Sequence, residues 1–278
     1  MRINIKHPEI FSAFFNEVTE TKLNRPIIGI STDSRQIKEN DLFIALKGNN
    51  YNGNDFLEIV LKSGASAALV SEKNKSLNFQ QIEVKNPLKT LNNLAQLWRE
   101  QFKVPVIAIT GSNGKTSTKE LLSHILSSKY NIHCTRGNFN TSLGLSLTLL
   151  KLDKSHDISI IELGSSLPGE IKNLCNISKP THGLITNIAP AHLEGFGTIE
   201  NIIKEKSQLF NSLKKGISFV NKTDKKIKKL KFEGKKITFG LTADCDFPAD
   251  INIESNGTLT LVINSHIIQT NSYNLSFI

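Results

Sequence analysis

Where the apolar run PVIAIT (105–110) meets TSTKELLSHILSS (116–128), the chain reads Thr110-Gly111-Ser112-Asn113-Gly114-Lys115-Thr116-Ser117. Glycines let successive backbone N–H groups turn toward one point, and the N-terminus of a following helix adds partial positive charge. Lys115 supplies a full charge, and Thr116 offers a hydroxyl to Mg²⁺. Residues 111–117 therefore make a cradle for a nucleoside triphosphate. The longer pattern GxxxxGK[ST] would need glycine where Ile109 stands, so the match is to the shorter TGxxGKT form. A Gly-rich turn with an incidental lysine lacks the strand before and the helix after that this segment has.

Other polar residues fall at comparable places. The run ISIIEL brings Glu162 to a strand's carboxyl end, where a hard cation takes oxygen ligands, although a glutamate facing water fits the same residues. Arg136-Gly137-Asn138-Phe139-Asn140-Thr141 precedes a helix; Asn138 and Asn140 can meet substrate or phosphate, and a plain Gly/Asn turn fits equally. Ser31-Thr32-Asp33-Ser34-Arg35 follows PIIGI, and hydroxyls with one arginine suit a diphosphate or a uracil edge, the arginine by forked hydrogen bonds. Taken alone, His192 reads as a structural histidine, and Lys204 and Lys206 as solvated helical lysines.

The elements that must position these residues follow from hydrophobic spacing. PIIGI (26–30), DLFIAL (41–46) and AALV (67–70) read as strands, and NDFLEIVLKSGA has helical spacing at Phe56, Ile59 and Val60, stopped by Gly64. A helix over 87–102 runs to Pro105, which disfavours helix at the residue before it and marks a domain boundary. From Val104 the pattern repeats as strand, loop, helix: PVIAIT with 116–128, YNIHC with SLGLSLTLLKL, ISIIEL with PGEIKNLCNI, GLITNI with TIENIIKEKSQLF. Such alternation predicts a parallel sheet covered on both faces, with ligands at the strands' carboxyl ends. Beyond GISFV and KKITFG, INIESNGTLTLVINSHIIQT holds a hairpin around Asn256-Gly257.

The fold class expected is α/β: a small N-terminal α/β domain over 1–85, a linker helix over 86–104, and a parallel-sheet phosphate-loop domain over 105–278.

Composition narrows the classes. The 278 residues suit two domains, and no stretch approaches the roughly 20 apolar residues of a membrane span. With no signal-peptide pattern before Pro8 and Glu9, the chain is expected in the cytoplasm. Cys134, Cys175 and Cys245 are odd in number and widely spaced, which suggests reduced thiols and no zinc site. The net charge is +9, much of it in lysines between Lys222 and Lys236, alternating with Ile227, Leu230, Phe232 and Ile237. That alternation describes a solvated face. No aromatic stacking residues interleave with the charge, so nucleic acid is not expected.

TGSNGKTS after an apolar strand resembles the Mur ligase and folylpolyglutamate synthase superfamily. IELGSSLPGEI, RGNFNTSLG and NIAPAHLEGFG extend the resemblance, and the last is close to a signature of the branch that adds D-alanyl-D-alanine. STDSR…DLFIALKG…GNDF is similar to the UDP-binding domain of the Mur ligases that add the third and later residues. About a hundred residues precede the phosphate loop, unlike in the folylpolyglutamate synthases. The diaminopimelate- or lysine-adding sister carries an aspartate before its histidine, where Ala191 stands here.

The resemblance implies ATP and Mg²⁺ as cofactors, and UDP-N-acetylmuramoyl tripeptide and D-alanyl-D-alanine as substrates. Lys115 would contact the phosphates. Thr116, Glu162, His192 and Lys206, the last carbamylated by CO₂, would hold the metal, and Lys115, His192 and Lys206 would form the catalytic set. Ser31, Asp33, Ser34, Arg35, Asn138 and Asn140 would bind substrate. Two departures are Ser165-Ser166-Leu167, where the family usually has Ala-Asn-His or similar, and Thr141 in place of an Asn. The family continues beyond the end of this chain with a C-terminal domain. A fragment, a truncated product and half of a split enzyme, with a separate chain supplying that domain, all fit. The alternatives are a non-catalytic UDP-precursor or nucleotide-binding module, a P-loop phosphotransferase or ATPase of unrelated purpose, and the diaminopimelate- or lysine-adding sister ligase.

Overall fold

The computed structural model describes residues 1–263 and 265–270. The end of the expected 105–278 domain, residues 271–278, lies outside them. The chain forms two compact units, residues 1–103 with 142–154, and residues 104–141 with 155–278.

In the first unit, β1 (Arg2–Asn4), β2 (Gly29–Ser31), β3 (Asp41–Ile44), β4 (Ala67–Val70) and β5 (Gln80–Glu83) form one sheet in that order. β1 runs antiparallel to β2, and the rest are parallel. β3 and β4 are buried along their whole length, which is why DLFI and AALV lack polar alternation. The sheet also contains β1 and β5, which hydropathy did not single out because each is three or four residues long and mostly polar.

Helix α1 (Pro8–Thr19) turns Phe11, Phe14 and Phe15 inward, and α2 (Leu57–Lys62) buries Leu57 and Val60. Ile59, expected on the inner face of α2, is 52% exposed; the core side is set by Leu57 and Val60, which pack with Phe43, Ala68 and Val70. Asp41 is fully buried and receives Arg2 Nε at 2.6 Å and Lys38 N at 2.9 Å, joining β1 to β3.

The expected linker over 86–104 is helix α3 (Pro87–Glu100), and it belongs to the body of the first unit. Asn86 caps it by accepting from Lys89 N, and Leu91, Leu94, Ala95 and Trp98 form a buried stripe at i, i+3, i+4 and i+7. Trp98 meets Phe11 and Phe14 edge-on and donates Nε1–H to Leu152 O at 2.9 Å. An amphipathic helix with such a stripe must bury it, so it cannot serve as a free tether.

The second unit begins with β6 (Val106–Thr110), α4 (Lys115–Ser127) and β7 (Ile132–Cys134). The next helix, α5 (Ser142–Leu149), belongs to the first unit, a departure from simple strand–helix alternation. Residues Gly144 to Leu149 of α5 are all buried, so this helix has no polar face.

The chain returns through β8 (Ile158–Glu162), α6 (Glu170–Ser178), β9 (His182–Ile185), α7 (Leu193–Phe196), α8 (Ile199–Asn211) and β10 (Ile217–Asn221). It closes with α9 (Lys225–Lys228), β11 (Lys235–Gly240), β12 (Phe247–Ile253), β13 (Leu259–Ile263) and β14 (His266–Gln269). The sheet order is β14-β13-β12-β11-β10-β9-β6-β8-β7, parallel from β7 to β12. β12 and β13 form the antiparallel hairpin expected around Asn256-Gly257. Among the described residues, no helix is long and apolar enough to cross a membrane.

β6 lies between β8 and β9, although β7 follows it in the chain. The connections leaving β6 and β8 thus diverge to opposite sides, and the carboxyl end of β6 is a topological switch point, where open α/β sheets bind ligands.

Candidate nucleotide and cation site

The loop after β6 is shaped by the loop after β9. Ser112 N donates to Asn187 O at 3.0 Å, and the Ser112 hydroxyl both donates to Ala189 O and accepts from Ala189 N. Asn113 N donates to Asn187 Oδ1, and Thr186 Oγ1 donates to Asn113 O at 2.6 Å. Gly111 has φ +149°, and a Cβ there would stand 2.0 Å from Thr186 Oγ1, so only glycine fits this bend. Gly114, at φ +77°, starts α4 with nothing within 4 Å of where its Cβ would lie, leaving the helix N-terminus open.

Lys115 Nζ donates to Gly111 O at 2.9 Å and Ser112 O at 3.1 Å, curling over the loop it starts from. Burial pushes its pKa below the ordinary lysine value, opposed by the Glu162 charge. An ammonium held by two carbonyls can exchange them for phosphate oxygens without a large rearrangement.

Glu162, 1% exposed, accepts from Thr116 Oγ1 at 2.9 Å through one carboxylate oxygen and from Asn140 Nδ2 at 2.9 Å through the other. Its backbone N donates to Thr135 Oγ1 at 3.1 Å, and Thr135 O receives Nζ of the fully buried Lys119 at 2.8 Å. Thr116, Asn140 and Glu162, from three separate segments, thus form one polar cluster. The hydroxyl of Thr116 beside a carboxylate suits a hard cation such as Mg²⁺. Asn140, read from sequence as a substrate contact, is here the partner of Glu162, while the Asn138 side chain is exposed. Gly164 packs on the Asn140 side chain, 2.7 Å from where a Cβ would lie.

His192 is exposed, in left-handed backbone (φ +50°) at the start of α7. Its side chain takes no part in the bonds joining Thr116, Asn140 and Glu162. The segment that carries it is nevertheless seated: a Cβ on Gly195 would be 2.0 Å from Ser166 O, so α7 lies against the loop after β8. No group of three His, Cys, Asp or Glu side chains gathers to hold a metal among the described residues.

Lys206 is 3% exposed, not solvated, and donates to Ser165 Oγ at 2.6 Å. Burial, reinforced by the Lys115 charge, pushes its pKa down to about 8, with Glu205 and Glu170 opposing. Ser165 therefore stands against a buried lysine, at the place where the family pattern differs.

In the first unit, Ser31 is fully buried and donates to Asp33 O at 2.9 Å, and Asp33 accepts Arg35 N, Nε and Nη2 at 3.1, 2.9 and 2.9 Å. Those hydrogen bonds hold the Asp33 carboxyl down at about 2. Ser34 begins the 3-10 turn Ser34–Gln36 that Asp33 caps. Arg35's fork is engaged by Asp33, yet its side chain is 86% exposed. The three cysteines are free thiols; burial pushes Cys175 up to about 12.

Fold and loop together define a nucleotide-binding α/β protein with a phosphate loop at the switch point of a parallel sheet. The chain belongs to the Mur ligase family: it matches the Mur ligase middle domain over residues 109–277 and the Mur ligase family catalytic domain over residues 26–100. A relative in Haemophilus influenzae, a UDP-N-acetylmuramoyl-tripeptide--D-alanyl-D-alanine ligase, is 38% identical over 197 residues, 69% of this chain and 43% of that protein. The crystal structure of MurF from Acinetobacter baumannii superposes with a TM-score of 0.83 at 29% identity, over 93% of this chain and 60% of that one. MurF ligase from Thermotoga maritima, solved in complex with ADP, gives 0.76 at 30% identity, over 86% of this chain and 57% of that one. The chain spans about half the length of the curated relatives it matches.

Proposed function

We propose that this chain carries the ATP- and precursor-binding parts of an amide ligase that joins D-alanyl-D-alanine to UDP-N-acetylmuramoyl tripeptide in the cytoplasm. The observation that carries this reading is the meeting of Lys115, Thr116 and Glu162 at the carboxyl ends of β6 and β8, in a chain whose relatives bear that ligase's name.

The reaction is phosphoryl transfer followed by acyl transfer. A carboxylate oxygen of the tripeptide attacks the γ-phosphorus of ATP and ADP leaves. The amine of D-alanyl-D-alanine then attacks the acyl carbon, phosphate leaves, and the amine proton passes to solvent. Neither step asks the protein for a nucleophile, so its contribution is positioning and charge neutralisation. The open N–H groups at the start of α4 and the Lys115 ammonium receive the phosphates, while Ser112 N and Asn113 N, bonded to Asn187, hold the loop in shape. Thr116 and Glu162 would hold Mg²⁺, which when bound neutralises charge on the phosphate oxygens. His192 and a carbamylated Lys206 would complete its ligands.

The carbamate forms when the neutral Lys206 Nζ attacks CO₂, one C–O π pair moves onto oxygen, and an N–H proton leaves to solvent. A buried amine with a depressed pKa is suited to that step, since the neutral form is the nucleophile. Asp33, Ser34 and Arg35 would bind the UDP end, the exposed guanidinium of Arg35 trading Asp33 for diphosphate oxygens, while Ser31, fully buried and bonded to the Asp33 backbone, would shape their loop and not touch the ligand. Asn138 would meet substrate from its exposed loop.

Calorimetric titration with Mg-ATP and, separately, with UDP-N-acetylmuramoyl tripeptide tests the reading, followed by phosphate release with D-alanyl-D-alanine present. Both ligands are expected to bind. A chain that binds Mg-ATP but ignores the UDP compound is a nucleotide-binding protein of other purpose.

A further inference from the structure

The loop between β8 and α6, Gly164 to Gly169, is pinned at several points. Gly164 N donates to Asn140 O at 2.9 Å, and Glu170 accepts from Ser166 N at 2.6 Å and Leu167 N at 2.9 Å. At its far end the start of α6 has no side-chain cap of its own, because the capping position is Gly169 at φ +91°. The cap comes from another helix. Glu205, on α8 and 4% exposed, accepts from Gly169 N through one carboxylate oxygen and from Ile171 N through the other, both at 2.7 Å.

The next residue on α8 is Lys206, which reaches the same loop at Ser165. Adjacent residues of a helix diverge by about 100°, so the two side chains grip the loop at separate points and fix both the height and the rotation of α8 against it. Satisfying two otherwise unpaired helix N–H groups at a helix's positive end repays the burial of the Glu205 carboxylate. An apolar residue there would leave both donors orphaned and remove one of the two points at which α8 holds the loop.

We propose that Glu205 is a positioning residue: its buried carboxylate locks the Gly164–Gly169 loop to α8 and thereby holds Lys206 against Ser165 in the geometry its carbamate needs. The proposal rests on the reading of Lys206 as the modified lysine. Ser165 can serve both states, accepting from the amine and donating to a carbamate oxygen in the same place.

The test uses the full 278-residue chain equilibrated with ¹³C-bicarbonate, the carbamate carbon being read by NMR and assigned by its loss in Lys206→Met. Amide hydrogen exchange at Gly169 and Ile171 is measured alongside. In Glu205→Gln one oxygen becomes an NH₂ group facing an N–H donor. We expect faster exchange at those amides and carbamate occupancy roughly tenfold lower, the scale on which outer partners of metal ligands act. Glu205→Asp keeps the charge but cannot span both amides; it is read in the same way and covers any loss of folding in the glutamine variant.

Equal occupancy in wild type and in the variants that fold overturns the positioning role while leaving the reading of Lys206 intact. Unchanged amide exchange overturns the clamp. Absence of a carbamate signal in the wild-type chain overturns the reading of Lys206, and the positioning role with it.

Discussion

Thr116 Oγ1 donates to Glu162 Oε2 at 2.9 Å, so the hydroxyl that follows the phosphate-loop lysine and the acid that ends the neighbouring strand occupy one site. They are 46 residues apart in the chain, and β6–β8 pairing, with Ile109 opposite Glu162, brings them together. If this pair receives a cation beside the phosphates, Glu162→Gln should lower affinity for Mg-ADP about tenfold or more while leaving metal-free ADP affinity nearly unchanged. Titrations with and without Mg²⁺ measure the difference, and equal losses in both would show that Glu162 acts only in folding.

Gly111→Ala should cost roughly 2–4 kcal/mol and abolish nucleotide binding, because it combines backbone strain with overpacking. The added methyl would have to displace Thr186, which holds Asn113 O from the next strand's loop. Urea unfolding measures the cost. An unchanged midpoint would mean that the two loops are not locked together.

Lys206 gives a pH dependence of definite sign. Its pKa is lowered from 10.5 to about 8, so between these values the unfolded chain holds a proton that the folded chain has lost. Stability from this group therefore rises with pH across that window, by on the order of 3 kcal/mol over its full width, and is lowest below pH 8. In CO₂-free buffer Lys206→Met should be more stable than the wild type at pH 7, with the difference shrinking toward pH 10. A constant difference would place the ammonium in a well-solvated setting.

Arg35→Ala should weaken binding of the UDP precursor roughly tenfold, the scale of a lost charge-assisted pair of hydrogen bonds, and leave ADP affinity alone. The salt bridge to Asp33 is largely exposed on the arginine side, so little stability should be lost with it. Calorimetry with each ligand separates the effects. Equal affinity for the UDP compound would remove Arg35 from the site.

Trp98 is the single tryptophan of the chain and sits in the first unit, among Phe11, Phe14 and Phe102. Its fluorescence should follow unfolding of that unit and respond little to ADP. Trp98→Phe should cost about 1–3 kcal/mol, since Leu152 O loses its buried donor along with ring volume.

The phosphate loop was readable without a structure because its chemistry is local: glycines, a lysine and a hydroxyl within seven residues, between an apolar strand and a helix. The parallel character of the core, the hairpin at Asn256-Gly257 and the family followed from patterns of the same short range, whereas the order of the strands did not. What depended on tertiary structure was every partnership across distance. Asn140 was equally readable as a turn residue until pairing of β7 with β8 brought it onto the Glu162 carboxylate. Lys206 carries the spacing of a solvated helical lysine, and only the packing of α8 on the loop after β8 buries it against Ser165. The role of Glu205 had no signal in the sequence at all, for an acid beside a lysine on a helix is ordinarily a surface pair. It becomes a clamp because α6 begins at a glycine, with no cap of its own, within reach of α8. Local chemistry is written in neighbouring residues, whereas burial and hydrogen-bond partnership are properties of surfaces that exist only once the sheet has formed.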